Sequence, residues 1–406
     1  MKLLLEDAKK NKAGAIILAA ILLITTLEWH FAEWYEAFTV YGTLITFVFL
    51  AAIALIYKKI PEYFKDKEMI TCVVVSVVAL INLFLVHSGF GAILIVVDFA
   101  LVLYFADKLT FSKLQTRNFL VYTAFFFFYW TIDVKGYFKG YNTNYGGLIL
   151  LSGFACLQVI MTAFYQKIFV KNENSADGKH DINHEDADSI KRATINKVIY
   201  VILAIAFLII AFKIISWYRS RTALIGLLVL LLIMIIPEKI ITNKFVFTFI
   251  NLCGTIGAIL LTLLYIGLGN IVGEGGIQLF YKNLISGRND IWLELWTEYL
   301  KMPLTGIGSS YVVKVDFMNG MLEAHSGMLD ILIIHGIIVF IPICVLFVIK
   351  LNKLREHIIG SRVKKTVYAA IICTLFAGMF ENFYIVQPFS LILLSYFCIA
   401  RSDSIN

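Results

Sequence analysis

The sequence is dominated by a series of long apolar runs separated by short charged segments. A helix rises about 1.5 Å per residue, so roughly 20 apolar residues cross the hydrocarbon core of a bilayer, which is about 30 Å thick. Only 16% of the 406 residues are charged and 60% are hydrophobic, whereas about a quarter of the residues in a soluble domain are charged. The pattern predicts an all-α, polytopic integral membrane protein.

The apolar runs predict about twelve transmembrane helices in a single membrane domain that covers residues 1–406. They are placed at 13–29, 38–57, 69–87, 90–106, 118–134, 145–166, 197–217, 221–236, 245–269, 326–349, 366–386 and 388–400. The last two are short enough to form a tight hairpin instead. The first run lacks a small-residue cleavage site and is predicted to be an uncleaved anchor.

The distribution of basic residues predicts the orientation. A cytoplasmic N-terminus places 26 of the 35 lysine and arginine residues in inner segments and only eight in outer ones. Because positively charged loops stay on the cytoplasmic side, both termini are predicted to be cytoplasmic, in a cytoplasmic (inner) membrane. The basic residues form no stripe interleaved with aromatic residues, which argues against a nucleic-acid partner.

Two connecting segments are much longer than the others. Residues 167–197 are polar, carry both signs of charge and form a predicted cytoplasmic loop. Residues 270–325, between the ninth and tenth predicted spans, form a predicted extracytoplasmic loop with amphipathic stretches, glycines and spaced charges. We expect this outer loop to carry the active site.

The outer loop contains an amphipathic stretch between residues 289 and 301. Asn289 or Asp290 is expected to cap a helix there, since short polar side chains accept hydrogen bonds from the first free N–H groups of a helix. The apolar face holds Ile291, Trp292, Leu295, Trp296, Tyr299 and Leu300, and the opposite face holds Glu294, Glu298 and Lys301. Such a face suits a helix in the plane of the membrane interface, and the PLTGIG segment at 303–308 must then turn the chain sharply.

The main candidates for chemistry are three residues at the predicted outer face. Arg221 begins the eighth predicted span, Arg288 precedes the amphipathic stretch and His325 precedes the tenth span. Guanidinium groups bind phosphate oxygens bidentately, and a histidine can take a proton from a sugar hydroxyl. Arg219 and Glu323 stand beside two of them and are further candidates. An arginine at a helix end also commonly extends to lipid headgroups, and a lone loop histidine is commonly incidental.

Charged residues inside the predicted spans are weaker candidates. Asp98 lies in the middle of the fourth span, where an acid is costly and usually faces a polar interior, so a functional role and a structural pairing role are both open. Lys213, near the outer end of the seventh span, can extend to headgroups or contact a pyrophosphate, and the first is favoured. Glu381 and Asn382, in the eleventh span, are expected to face the same cavity.

No pattern predicts a metal ion or a cofactor. His180 and His184 are four residues apart, but they lie in the charged inner loop and do not form an HExxH sequence. None of the 6 cysteines belongs to a CxxC pair, so free thiols are expected and a disulfide framework is not.

Residues 286–336 contain three motifs in a recognisable order, SGRNDIW, KMPLTGIGSS and AHSGMLDILIIHG, and a Ser-Arg-Thr element begins upstream at Ser220. Together they resemble the signature region of the O-antigen ligase and polysaccharide polymerase family of membrane glycosyltransferases. The resemblance covers residues 220–336, and the first 200 residues match only in hydropathy. One departure is Ser326, where the family commonly has Asn after the histidine.

The resemblance implies a GT-C-like fold and a metal-independent transferase that uses undecaprenyl-diphosphate-linked glycans on the outer face of the membrane. Carried over, Arg221 and Arg288 would hold the donor diphosphate, and His325 would activate or position the acceptor hydroxyl. The implied partners are lipid-linked oligosaccharides as donor and acceptor, the lipid bilayer, a chain-length regulator and a flippase.

The favoured function is a polymerase that joins lipid-linked repeat units into a capsular, O-antigen-like or exopolysaccharide chain. A ligase that moves finished glycan to another acceptor is the close alternative within the family. A transporter or flippase with twelve helices is the alternative from a different class. It is disfavoured because the segment after the second span, around Lys58 and Pro61, lacks the Gly/Asp/Arg motif of such transporters, and because a transporter does not need the long outer loop.

The predicted orientation is tested by reporter fusions. A reporter fused after Leu300 is expected to be extracytoplasmic, and one fused at Glu185 is expected to be cytoplasmic, because the charge distribution places these positions on opposite sides. Paired alkaline phosphatase and fluorescent-protein fusions measure both sides. The reverse result would overturn every site assignment that depends on sidedness.

Overall fold

The computed structural model of this chain describes residues 2–30, 35–133, 143–166, 184–272, 278–279, 282–283, 288–315, 318–321 and 324–403. These residues are mostly helical, as the all-α class predicts. The described strands form two small antiparallel pairs, β1 (Gln278–Leu279) with β2 (Lys282–Asn283) and β3 (Val312–Val315) with β4 (Met318–Met321). Both pairs lie in the segment predicted as the outer loop.

The helices are numbered in chain order. They are α1 (Lys2–Lys10), α2 (Lys12–His30), α3 (Tyr35–Tyr57), α4 (Ile60–Tyr63), α5 (Lys67–Leu85), α6 (Phe90–Phe105), α7 (Lys113–Asp133), α8 (Thr143–Tyr165), α9 (His184–Trp217), α10 (Arg221–Ile235), α11 (Glu238–Ile241), α12 (Lys244–Thr255), α13 (Gly257–Val272), α14 (Arg288–Tyr299), α15 (Gly327–Lys353), α16 (Arg355–Ile358), α17 (Arg362–Ala377) and α18 (Phe389–Arg401). A helix is present at each of the predicted apolar runs.

Among the described residues, three helices are long and apolar enough to cross a membrane, at Lys67–Leu85, Gly146–Tyr165 and Gly327–Ile358. A fourth crossing results if α12 and α13, which meet at a bend of 59°, count as one broken span. Five shorter apolar helices accompany them, at Tyr41–Tyr57, Phe90–Phe105, Val201–Trp217, Arg221–Ile235 and Phe389–Arg401. The apolar helices indicate membrane association, and the number of twelve spans stays a prediction.

Helices α17 and α18 form the centre of the bundle. Nearly every residue of α18 from Phe389 to Ala400 is buried, as are most residues of α17. A helix that is apolar on all sides and covered by protein belongs to a core, whereas the exposed apolar residues of α5 and α9 suit a lipid-facing surface. The short length of α18 is consistent with this central position.

One predicted boundary is wrong. The predicted eleventh span, 366–386, stops being helical at Ala377, and residues 378–388 form turns before α18. The chain can leave the helix because the carbonyl of Gly378 accepts a hydrogen bond from Gly327 N at 3.0 Å, from outside its own helix. Residues 184–196 of the predicted inner loop are helical and extend α9, while residues 167–183 lie outside the described residues.

A network of charges joins the ends of α5, α6 and α15 at the predicted inner face. Lys350 binds both Glu68, at 2.6 Å, and Asp107, and Lys353 and Lys108 add further ion pairs. Burial alone would raise the pKa of Asp107, but the ammonium groups of Lys350 and Lys353 lower it to about 2. The network fixes three helix ends on one face, so the opposite ends of α5, α6 and α15 share the other face.

At the opposite face, α15 is broken at Gly336 and the turn at 303–308 fills the break. Gly336 has a positive φ of 74°, and the carbonyls of Ile333 and Ile334 accept hydrogen bonds from Ile307 N and Gly308 N at 2.8 and 3.2 Å. In return, Ile337 N donates to the carbonyl of Pro303 at 2.9 Å. The turn therefore satisfies the backbone groups that the break releases, which an apolar surrounding requires.

Close backbone approach explains the glycines of this turn. Gly306 and Gly308 have positive φ values of 74° and 77°. A β-carbon at Gly308 would overlap the carbonyl oxygen of Val86, and one at Gly336 would overlap the carbonyl of Leu304. Asn82 of α5 adds hydrogen bonds from its side-chain amide to the carbonyls of Thr305, at 2.9 Å, and His335, at 3.3 Å. The turn is thus packed against both α5 and α15.

Gly308→Ala is expected to destabilise the protein much more than Gly360→Ala. Both glycines have a positive φ, 77° and 75°, so each substitution carries a similar backbone cost of about 1 kcal/mol. A β-carbon meets nothing within 4 Å at Gly360 but overlaps Val86 at Gly308. Thermal unfolding of the purified protein in detergent measures the difference, and equal shifts in Tm would contradict this account of the turn.

Candidate functional site

The amphipathic stretch of the segment predicted as the outer loop forms helix α14 and packs on the protein itself. Ile291, Trp292, Leu295 and Tyr299 are buried, and the indole of Trp292 donates to the carbonyl of Ala324 at 2.7 Å. The predicted amphipathic helix is therefore present, and most of its apolar face packs against the rest of the protein. The predicted cap is wrong, because the helix begins at Arg288 and so Asn289 and Asp290 lie in its first turn.

The charged face of α14 is attached to the strand that follows. Both carboxylate oxygens of Glu294 accept from the backbone N–H of Lys314, at 2.8 and 2.9 Å, and one also accepts from the hydroxyl of Tyr311 at 2.8 Å. These bonds hold α14 against β3. The helix that presents Arg288 is consequently fixed on two sides.

His325 lies at a sharp bend just before α15. Its φ of 50° is in the left-handed region, which residues other than glycine adopt rarely and mostly in turns. The bend is fixed by hydrogen bonds on either side: Ala324 N donates to the carboxylate of Asp330 at 3.1 Å, and Gly327 N donates to Gly378 at 3.0 Å. Strained backbone of this kind is often found at functional sites.

Arg288, His325 and Glu381 meet in one cluster. A guanidinium nitrogen of Arg288 donates to Glu381 Oε1 at 2.7 Å, and His325 Nδ1 lies 3.4 Å from Glu381 Oε2. The side chains are 13%, 20% and 6% exposed, so the carboxylate is buried while the histidine remains accessible. The two oxygens of Glu381 thus face the two residues that the sequence places 37 positions apart.

Arg221, on α10, lies near this cluster. It is the first residue of that helix, after Ser220, whose hydroxyl accepts from Ala223 N at 3.3 Å and caps the helix. Arg221 is partly buried and lies within electrostatic range of Arg288 and Tyr265. Two guanidinium groups within electrostatic range of one another repel, and an anion bound between them relieves that repulsion.

The remaining predicted site residues are not all in the cluster. Arg219 is exposed in the turn between α9 and α10 with a φ of 53°, and Lys213 is exposed on α9, as expected for a lysine that extends to headgroups. Asp98 is fully buried and accepts a hydrogen bond from Gln387, which favours the pairing role. Glu323 lies outside the described residues.

Glu381 is the residue whose importance the sequence shows least. Its one signal in the sequence is its position within an apolar run, where an acid indicates a polar contact. Its partners were not predictable, because the turns at 378–388 interrupt the apolar run and carry Glu381 towards the outer segment.

Glu381→Gln is expected to make His325 lose protons at lower pH, because a carboxylate next to an imidazole stabilises its cationic form. Diethyl pyrocarbonate modifies the neutral ring, and mass spectrometry of the peptide that contains His325 gives the pH midpoint of modification. Glu298→Gln, which removes an ion pair to Lys301 on the exposed face of α14, is the control and leaves the midpoint unchanged. An unchanged midpoint in Glu381→Gln would show that the contact is absent in solution.

Comparison with protein-family models, with curated proteins and with solved structures finds no match for this chain.

Proposed function

We propose that the protein is a membrane glycosyltransferase that polymerises undecaprenyl-diphosphate-linked repeat units on the outer face of the cytoplasmic membrane. The observation that carries this proposal is the contact of His325 and Arg288 with the two oxygens of Glu381, next to Arg221. This contact supports the proposal because such a transfer needs two kinds of group side by side, arginines that bind the diphosphate and a base for the acceptor hydroxyl.

In this proposal the arginines bind the donor. The donor diphosphate lies against Arg221 and Arg288, whose guanidinium groups match its oxygens and stabilise the negative charge that grows as it leaves. Glu381 holds one edge of the Arg288 guanidinium, so the side chain is oriented before the substrate binds. Pre-arranged donors of this kind need no reorganisation during the reaction.

His325 acts on the acceptor in the same proposal. The acceptor hydroxyl attacks the anomeric carbon of the donor sugar, the bond from that carbon to the phosphate oxygen breaks, and undecaprenyl diphosphate leaves. The hydroxyl proton passes to Nε2 of His325, and Glu381 on the Nδ1 side orients the ring and stabilises the imidazolium. The new glycosidic bond lengthens the chain by one repeat unit.

A ligase carries out the same transfer with a different acceptor, so the cluster supports both. Incubation of the purified protein with lipid-linked repeat units alone distinguishes them. A polymerase gives a ladder of products, whereas a ligase gives none until a second acceptor is added. A transporter leaves the repeat units unchanged in both reactions.

His325→Asn is expected to abolish polymer formation and to cause lipid-linked single repeats to accumulate, because Asn cannot take the proton. His87→Asn is the matched control, since His87 also has a left-handed φ, 52° against 50°, and is exposed between α5 and α6. Asn tolerates this conformation, so the two substitutions have similar backbone effects. Gel analysis of polymer and immunoblots of membrane abundance measure the outcome.

Arg288→Ala is expected to give the same loss of polymer with normal membrane abundance, because it removes the proposed contact to the diphosphate and leaves Glu381 without this partner. Wild-type polymer from both His325→Asn and Arg288→Ala would refute the assignment of the site.

A further inference from the structure

The middle of the bundle contains a buried polar pair that the proposed reaction does not use. Asp98 lies on α6 and is 0% exposed, and its Oδ2 accepts a hydrogen bond from the side-chain amide of Gln387 at 3.0 Å. The carbonyl oxygen of the same Gln387 side chain accepts from the hydroxyl of Thr43 on α3 at 3.2 Å. The pair therefore joins α3 and α6 to the end of the 378–388 turns.

A buried polar residue in an apolar bundle is costly unless it is hydrogen-bonded, and one that is retained there commonly has a structural or functional role. Asp98 Oδ1 has no hydrogen-bond partner within the described part of the chain, so Gln387 supplies the one such bond that the carboxyl group makes there. Asp98 consequently depends on Gln387 for this hydrogen bond, and both the nitrogen and the oxygen of the Gln387 amide are hydrogen-bonded. The two bonds hold the end of the 378–388 turn segment.

The 378–388 segment is held at three places. At its start, the carbonyl of Gly378 accepts from Gly327 N. In its middle, the ring of Tyr384 packs against both Phe99 and Phe347, with centroids 5.8 and 6.0 Å away. At its end, Gln387 binds Asp98.

Glu381 lies in the sequence between Gly378 and Tyr384, the first two of these contact points. Tyr384 packs against Phe99, the residue that follows Asp98 on α6. Asp98 and Phe99 thus make two of the three contacts that fix the segment. A shift of the segment moves the carboxylate that contacts Arg288 and His325, and a displacement of about 1 Å can cost about 100-fold in rate at a reacting centre.

We propose that Asp98 is a positioning residue, which acts through Gln387 to place Glu381 between Arg288 and His325. The importance of this placement for catalysis depends on the proposed function. The placement itself does not depend on the proposed function, because it concerns only contacts within the protein.

The first test does not require activity. The pH midpoint for diethyl pyrocarbonate modification of His325 is measured in Asp98→Ala, Asp98→Asn and Gln387→Met. Asp98→Ala and Gln387→Met remove the hydrogen bond from either side, so each is expected to move the midpoint in the direction of Glu381→Gln. Asp98→Asn keeps an acceptor oxygen and is expected to keep the wild-type midpoint.

Thr46→Val is the matched control. Thr46 lies one turn after Thr43 on α3, is 0% exposed, and its hydroxyl has no hydrogen-bond partner among the described residues. Valine has nearly the same shape, so the substitution changes a buried polar group near the pair without touching it. The midpoint of His325 is expected to stay as in the wild type.

The second test measures turnover of lipid-linked repeat units. Asp98→Ala is expected to lower kcat about tenfold or more with little change in KM, because Glu381 orients groups and does not supply the main contacts to substrate. Asp98→Asn is expected to restore kcat.

A wild-type His325 midpoint in both Asp98→Ala and Gln387→Met would refute the positioning role. So would an Asp98→Asn variant as altered as Asp98→Ala. If the wild-type protein forms no polymer but the midpoints move as expected, the proposed function fails and the positioning role stands.

Discussion

An apolar surrounding leaves no water to bond with a free N–H or carbonyl group, and the half of this protein that contains the break in α15 depends on how that constraint is met. The break in α15 at Gly336 is filled by the turn at 303–308, which exchanges backbone hydrogen bonds with it. The end of α17 is met by Gly327 in the same way. These exchanges allow non-helical backbone next to the bundle, and so allow His325 and Glu381 to approach one another.

The electrostatics of the cluster follow from this arrangement. Glu381 is the most buried of the three contacting groups, and a buried carboxylate requires charged partners. Arg288 and His325 provide them from two different segments, so a single acid fixes the relative position of a guanidinium group and an imidazole ring. Arg221 adds a second cation from a third segment, α10.

Much of this organisation was predictable from the sequence, because it follows from periodicity and local turn chemistry. Long apolar runs predicted the helices, and the Pro/Gly pattern at 303–308 predicted a turn. Arg288 and His325 were placed on one face by counting spans. The end of α17 was missed because residues 378–386 continue the apolar composition, and the bonds that end the helix come from a residue about 50 positions away. The contacts of Glu381 and the pairing of Asp98 with Gln387 are likewise tertiary, and no local pattern encodes them.

The hydrogen bond between Trp292 and Ala324 has a consequence for the substrates that such a site can accept. Arg288 and Trp292 are four residues apart on α14, and Ala324 is the residue before His325. One turn of helix, about 5.4 Å along its axis, therefore joins Arg288 to the residue that is bonded to the neighbour of His325. Under the proposed function, this link keeps the spacing between the diphosphate site and the base independent of the sugar that is bound.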